Sequence, residues 1–117
     1  GYLGFPLQSG SNKILKSMKR RYAAEDVLKS FLSLKSVSTD LNLTTHVLVG
    51  FPGETEDDFL ETIEFLKAAR FTYLSAYKYC DRPKTAASQL AMKIPENIMN
   101  SRLRRLRKQF PKICRAN

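Results

Sequence analysis

A glycine-containing loop between an apolar stretch and a run of acids is the part of this sequence best suited to chemistry. Residues 47–59 read Val-Leu-Val-Gly-Phe-Pro-Gly-Glu-Thr-Glu-Asp-Asp-Phe. The apolar residues that end at Gly50 are typical of a buried strand, and Thr55 with Asp58 three residues later predicts a capped helix start. This strand, loop and helix would place Glu54 at the carboxyl end of a strand, where α/β proteins bind ligands.

A second polar segment, Gln8-Ser9-Gly10-Ser11, follows the first predicted strand. The start of a helix favours an anion, so the hydroxyl and amide groups here could bind a carboxylate or a ribose. Arg20 and Arg21 lie at the end of the first predicted helix, where cations are favoured. A serine that only caps the helix, and an arginine that only relieves its carboxyl end, remain open alternatives.

The order of apolar and polar residues predicts alternating strands and helices. We expect strands near 2–6, 44–50 and 72–79, and helices near 12–19, 24–36, 56–70 and 95–109. Such alternation implies parallel strands with right-handed crossovers. The predicted fold class is α/β, a partial (β/α) barrel with three parallel strands and intervening helices, since a complete barrel needs about 250 residues.

Two predictions concern individual side chains of these elements. The apolar stripe of the second helix is expected to comprise Val27, Leu28, Phe31, Leu32 and Leu34. The third helix is expected to direct Phe59, Ile63, Phe65 and Leu66 inward. His46, inside a predicted strand, is expected to face the core or the helices.

The composition points to a basic chain with few reactive thiols. The 117 residues carry a formal net charge of +9 and two cysteines, Cys80 and Cys114, which we expect to be free thiols. No apolar run approaches 18 residues, so we expect no membrane partner and a cytoplasmic location. Residues 102–115 contain seven basic side chains and no acid, which predicts contact with RNA phosphates or, alternatively, a solvated helix face.

Three segments together carry a resemblance to a known family. Residues 50–59 resemble the fifth-strand loop of radical S-adenosylmethionine (SAM) enzymes, in particular the methylthiotransferase branch. Residues 6–11 with 14–22 are similar to the segment after that family's fourth strand, and residues 77–86 to the loop after its sixth strand. The three blocks occur in the family's order and cover roughly residues 3–108.

The resemblance implies that this chain contributes to a SAM site. The residues expected to bind the cofactor are Gln8, Ser9, Ser11, Arg20, Val49, Gly50, Glu54 and Tyr79. The family binds a [4Fe–4S] cluster through a Cys-x₃-Cys-x₂-Cys motif, because such clusters require thiolate ligands. This sequence has no such motif, so we expect neither a metal ligand nor a catalytic residue in it.

The resemblance also implies what the parent protein does. The likeness begins at the family's fourth strand and stops before its RNA-binding domain, so we expect residues 1–117 to be the C-terminal part of the barrel. The parent enzyme would insert sulfur into tRNA or a ribosomal protein, and this chain alone would bind SAM weakly and be inactive.

Two other functions remain open. One is a small basic α/β module that binds RNA, including tRNA, through the C-terminal helix. The other is a non-catalytic half-barrel that associates with itself through its open sheet edges.

Overall fold

The central element of the fold is one parallel sheet. The computed structural model describes residues 2–38, 40–80, 93–111 and 114–116. The strands of the sheet are β1 (Tyr2–Gln8), β2 (Asn42–Val49), β3 (Tyr73–Lys78) and β4 (Cys114–Ala116), in that spatial order. Every pairing is parallel, which confirms the α/β class and the arc of parallel strands. The short strand β4 was not predicted, because three residues after Pro111 are too few to show a strand pattern.

Four helices are described in the same part of the chain. They are α1 (Asn12–Ser17), α2 (Ala24–Val37), α3 (Glu56–Ala69) and α4 (Glu96–Gln109). The last three agree with prediction to within a residue. Helix α1 ends two residues early, because Met18 caps it and Lys19 takes a φ of 61°.

The helices and the sheet enclose one apolar core. Alternate residues of β2 are buried in it, and the intervening ones face the other side of the sheet. Helix α3 buries the four residues that the sequence predicted, so that prediction is confirmed. The core includes Leu7, Leu43, Val47, Val49, Phe59, Ile63, Phe65, Leu66 and Leu74.

Two side-chain predictions were wrong. Leu32 and Leu34 of α2 are 46% and 43% exposed, because the helix buries Val27 and Phe31 and packs Leu28 against the core, which confirms only those three residues of the predicted stripe. His46 is exposed as well. It lies at one of the β2 positions that point away from the helices, beside the Tyr77 ring at 5.8 Å between centroids.

Candidate functional site

Strand β1 ends in an irregular turn that presents Gln8. The pairing with β2 shifts between Phe5 and Gln8, and Gln8 has a φ of 74°, in the left-handed region. Thr45 of β2 bridges the irregularity, since its Oγ1 donates to the Phe5 carbonyl (2.6 Å) and accepts from the Leu7 amide (3.2 Å). A buried hydroxyl of the neighbouring strand therefore holds the strand end that carries Gln8.

The loop after β1 packs directly on helix α3. The Gly10 amide donates to Thr62 Oγ1 (2.9 Å), which also lies 3.3 Å from Ser9 Oγ. Ser11 caps α1 and donates its hydroxyl to Asp58 (2.8 Å). Both serines are buried, at 0% and 1% exposure. The structure thus gives the two predicted site serines partners inside the fold.

Asp58 connects the loops that follow β1 and β2. Its carboxylate accepts from the Thr55 amide (2.8 Å) in the predicted capping box, which is confirmed, and pairs with Lys13 Nζ at 2.7 Å. Burial acts to raise the pKa of Asp58. The hydrogen bonds from Lys13, from the Thr55 amide and from Ser11 outweigh it and hold the pKa below its ordinary value.

Replacing Asp58 by asparagine is expected to lower the free energy of unfolding by about 1.5–3 kcal/mol, the range for hydrogen bonds to charged groups. Because folding lowers the pKa of Asp58, its contribution is present above about pH 4 and is lost as the pH falls through the folded value. Urea unfolding from neutral to acid pH measures this dependence. The exposed Asp57 provides the control, and an equal loss in Asp57→Asn would contradict the assignment.

The loop after β2 contains Gly50 and is covered by Met99 of α4. Gly50 has a φ of 84°, and a Cβ there would lie 2.3 Å from Cγ of Met99 on α4. The Gly50 amide donates to Glu54 Oε1 (2.9 Å). Val49 is buried in the core, and its carbonyl accepts from the Tyr79 amide (2.8 Å). The predicted residues of this loop therefore lie at the same sheet edge as Tyr79.

A buried ion pair fixes this loop to helix α4. Arg102 Nη1 donates to Glu54 Oε1 (2.7 Å) and to the Glu54 carbonyl (3.2 Å). The two residues are 5% and 3% exposed. Burial raises the pKa of Glu54, although the Gly50 amide and the Arg102 guanidinium both act to lower it. No local pattern could indicate this pair, because its members are 48 residues apart and Arg102 lies in a basic run that is typical of a solvated helix face.

A second arginine of α4, Arg105, also binds an acidic side chain of the fold. Arg105 donates two hydrogen bonds to Glu56, at 2.7 and 2.5 Å, and its guanidinium lies 4.8 Å from the centre of the Phe59 ring. Arg102 and Arg105 therefore do not form the RNA-facing surface predicted for this helix. Arg104, Arg107 and Lys108 are exposed on it.

Gln8 and Arg20 line one small cavity at the carboxyl ends of β1 and β2. The cavity has a volume of about 210 Å³ and is lined by Gln8, Ser17, Met18, Lys19, Arg20, Leu48 and Phe51. The amide and the guanidinium suit a carboxylate, while Leu48 and Phe51 offer apolar surface for a ring. These groups fit part of a SAM molecule.

Tyr79 lines a second cavity. The rings of Phe51 and Tyr79 pack edge to face, 5.4 Å apart. This cavity measures about 520 Å³, and the described residues that line it are Pro52, Tyr77, Lys78, Tyr79, Cys80, Lys93, Ile94, Glu96 and Met99. Residues 81–86, which belong to the third resembling segment, lie outside the described residues.

An iron–sulfur cluster does not fit the groups that this chain offers. Within the described ranges, no group of three or more His, Cys, Asp and Glu side chains could hold a metal ion. The complete sequence has two cysteines, Cys80 and Cys114, which are 34 residues apart.

The described helices include none long and apolar enough to span a bilayer.

Comparison with known proteins agrees with the resemblance. The sequence model of the radical SAM superfamily matches residues 1–66. A tRNA-2-methylthio-N(6)-dimethylallyladenosine synthase of Desulfotalea psychrophila is 41% identical over 100 residues, 86% of this chain and 22% of the relative. A threonylcarbamoyladenosine tRNA methylthiotransferase of Bacillus subtilis is 41% identical over 105 residues, 90% of this chain and 23% of the relative. The chain thus spans about a fifth of these curated relatives, and it belongs to the radical SAM superfamily.

Proposed function

We propose that this chain forms one wall of the SAM and substrate cavity in a radical SAM enzyme that adds a methylthio group to tRNA. The observation that carries the proposal is the cavity shared by Gln8 and Arg20 at the carboxyl ends of parallel strands. The relatives with 41% identity are named as tRNA-modifying enzymes. Residues 1–117 would correspond to the C-terminal part of the barrel, and cysteines elsewhere in the parent would hold its [4Fe–4S] cluster.

SAM supplies the reactive carbon–sulfur bond of such an enzyme, and this chain's residues would hold the molecule. Arg20 would bind its carboxylate, and the Gln8 amide would bind a polar group beside it. Leu48 and Phe51 would exclude water from an apolar ring. The cavity is smaller than a whole SAM site. This size agrees with a partial site that other parts of the parent enzyme would finish.

The remaining predicted site residues would support the loops. Ser9, Ser11 and Glu54 direct their side chains to partners inside the fold, so we propose that they position backbone groups. Gly50 admits Met99 of α4 where a Cβ would lie, so we propose that it shapes the loop through its amide hydrogen bond to Glu54, while Val49 would anchor the strand below it. Tyr79 would contact the cofactor from the second cavity, which it lines.

Replacing Arg20 by alanine is expected to weaken SAM binding about tenfold or more, since a hydrogen bond to a charged group contributes about 1.5–3 kcal/mol. Titration calorimetry with SAM measures the change. Arg104→Ala removes the same charge from an exposed site on α4 and should leave the affinity unchanged. If both variants lose affinity equally, or neither does, Arg20 has no role in holding the carboxylate.

Iron and sulfide reconstitution should give no stable [4Fe–4S] cluster on this chain, because two distant cysteines cannot supply the thiolates it requires. Ultraviolet–visible absorbance and a test for 5′-deoxyadenosine measure the outcome. Stoichiometric cluster absorbance together with SAM cleavage would refute the view that the ligands lie elsewhere in the parent.

Three further expectations belong to the proposal. RNA contact by the C-terminal helix would involve its exposed cations, Arg104, Arg107 and Lys108. Self-association would use β1, which lies at an edge of the sheet. A cytoplasmic location stays a prediction that follows from tRNA as the substrate.

A further inference from the structure

We propose that tRNA phosphates bind the basic turn, which comprises Lys16, Lys19 and Arg21 at the end of α1 and flanks Arg20, the residue assigned to SAM. This inference rests on the proposed function and specifies where its substrate docks. All three side chains are exposed. None of them pairs with an acidic side chain of the described residues.

Five other cations of the described residues are paired with acids. The described ion pairs are Lys13–Asp58, Lys67–Glu64, Lys78–Glu96, Arg102–Glu54 and Arg105–Glu56. Glu25, which follows the basic turn, accepts two hydrogen bonds from Asn12 (2.8 and 3.1 Å). The basic turn thus keeps its charge available for phosphates, whose neutralisation releases counterions and drives binding.

The turn is held at the rim of the candidate site. The Arg20 amide donates to the Leu15 carbonyl (2.9 Å), which folds the chain back after α1. The Tyr22 hydroxyl donates to the carbonyls of Pro6 (3.1 Å) and Leu7 (3.0 Å) at the end of β1. The turn is therefore fastened to the strand that presents Gln8.

The same turn borders the small cavity directly. Lys19 and Arg20 line it together with Gln8. Phosphate contacts fix the register of a nucleic acid on a protein, and enzymes that act on a base bring that base into a pocket. An RNA whose base enters at this edge would place the flanking phosphates beside Lys16, Lys19 and Arg21.

The exposed cations of α4 are less well placed for this task. Helix α4 starts near the strand ends, where Met99 faces Gly50, and runs away from them. Lys108 lies with Glu64 and Lys67 along the second half of α3. The Phe110 carbonyl then accepts from Cys114 at the start of β4. The basic turn is thus the surface nearer to the cavity.

The test compares two triple variants that each remove three positive charges. The first is Lys16→Gln, Lys19→Gln and Arg21→Gln, with Arg20 kept because it is assigned to SAM. The control is Arg104→Gln, Arg107→Gln and Lys108→Gln. Fluorescence anisotropy with a labelled tRNA transcript gives the affinity of each protein between about 50 and 200 mM salt.

The basic-turn variant is expected to bind about tenfold or more weakly at the lowest salt. The slope of log K against log[salt] should become shallower by about 2, since three phosphate contacts contribute about 0.7 each. The control variant should keep most of the affinity and slope. A charge-preserving variant with Lys16→Arg, Lys19→Arg and Arg21→Lys should bind tRNA with the affinity of the unsubstituted chain.

Other outcomes would overturn the proposal. Equal losses in both triple variants would assign binding to net charge, and a larger loss in the control would assign it to α4. If the basic-turn triple variant does not fold, Lys16→Gln and Arg21→Gln are measured singly, and unchanged affinity in both would reject the surface. A chain that binds no tRNA but binds SAM would reject the docking surface while leaving the cofactor wall intact.

Discussion

Replacement of Arg102 by alanine is expected to destabilise the protein by about 3–5 kcal/mol, the cost of leaving one member of a buried ion pair without its partner. Glu54 is 3% exposed, and of the described groups that bind its carboxylate it would keep only the Gly50 amide. The loop that links β2 to α3 would also lose its connection to α4. Urea unfolding followed by circular dichroism measures the change in the free energy of unfolding.

Two controls separate the ion pair from a general effect of arginine. Arg104→Ala, at an exposed position of the same helix, should change the stability by no more than about 0.5 kcal/mol. Arg102→Met combined with Glu54→Gln removes both charges and should recover much of the loss, because a neutral pair carries no buried charge. A loss in Arg102→Ala as small as that in Arg104→Ala would refute the structural role of the pair.

Replacement of Gly10 by alanine is expected to destabilise the protein by about 3 kcal/mol, at the upper end of the range for overpacking. A Cβ on Gly10 would lie 2.6 Å from Thr62 Cα and 2.8 Å from the Glu61 carbonyl oxygen. Both are backbone atoms of α3, so the loop and the helix must separate. That movement would also stretch the bond between Ser11 and Asp58, and thermal unfolding would record the loss.

Gly53 provides the matched control for Gly10. It has a φ of 89°, but a Cβ there would meet nothing within 4 Å. Gly53→Ala should therefore cost only the strain of a left-handed residue, about 1–2 kcal/mol. If Gly53→Ala destabilises the protein more than Gly10→Ala, close packing of the β1 loop against α3 is not what requires a glycine at position 10.

Local patterns were enough to predict most of the elements. The apolar run before Gly50 and the Thr55–Asp58 spacing gave β2 and the start of α3, because both signals lie within a few residues. The parallel arrangement followed from the alternation of strands and helices. The edge that carries Gln8 and Gly50 could then be located without coordinates, since parallel strands end on the same side.

Contacts between distant residues could not be predicted in the same way. Nothing near Ser9 indicates that its hydroxyl meets Thr62, and nothing near Arg102 indicates that Glu54 lies beside it. Both partners come from elements that only the folded chain brings together. The exposure of His46 was missed for a related reason, because a strand's period shows that two faces exist but not which one the helices cover.

The most direct test of the cofactor wall is a titration of the ¹⁵N-labelled chain with SAM, followed by two-dimensional NMR. We expect the amide signals of Gln8, Lys19, Arg20, Leu48 and Phe51 to shift together and to saturate with one dissociation constant. 5′-Methylthioadenosine, which lacks the amino-acid tail, should still shift Leu48 and Phe51 but leave Arg20 unchanged. No shift in this cavity at saturating SAM, or shifts confined to another surface, would contradict the assignment of this wall to the cofactor.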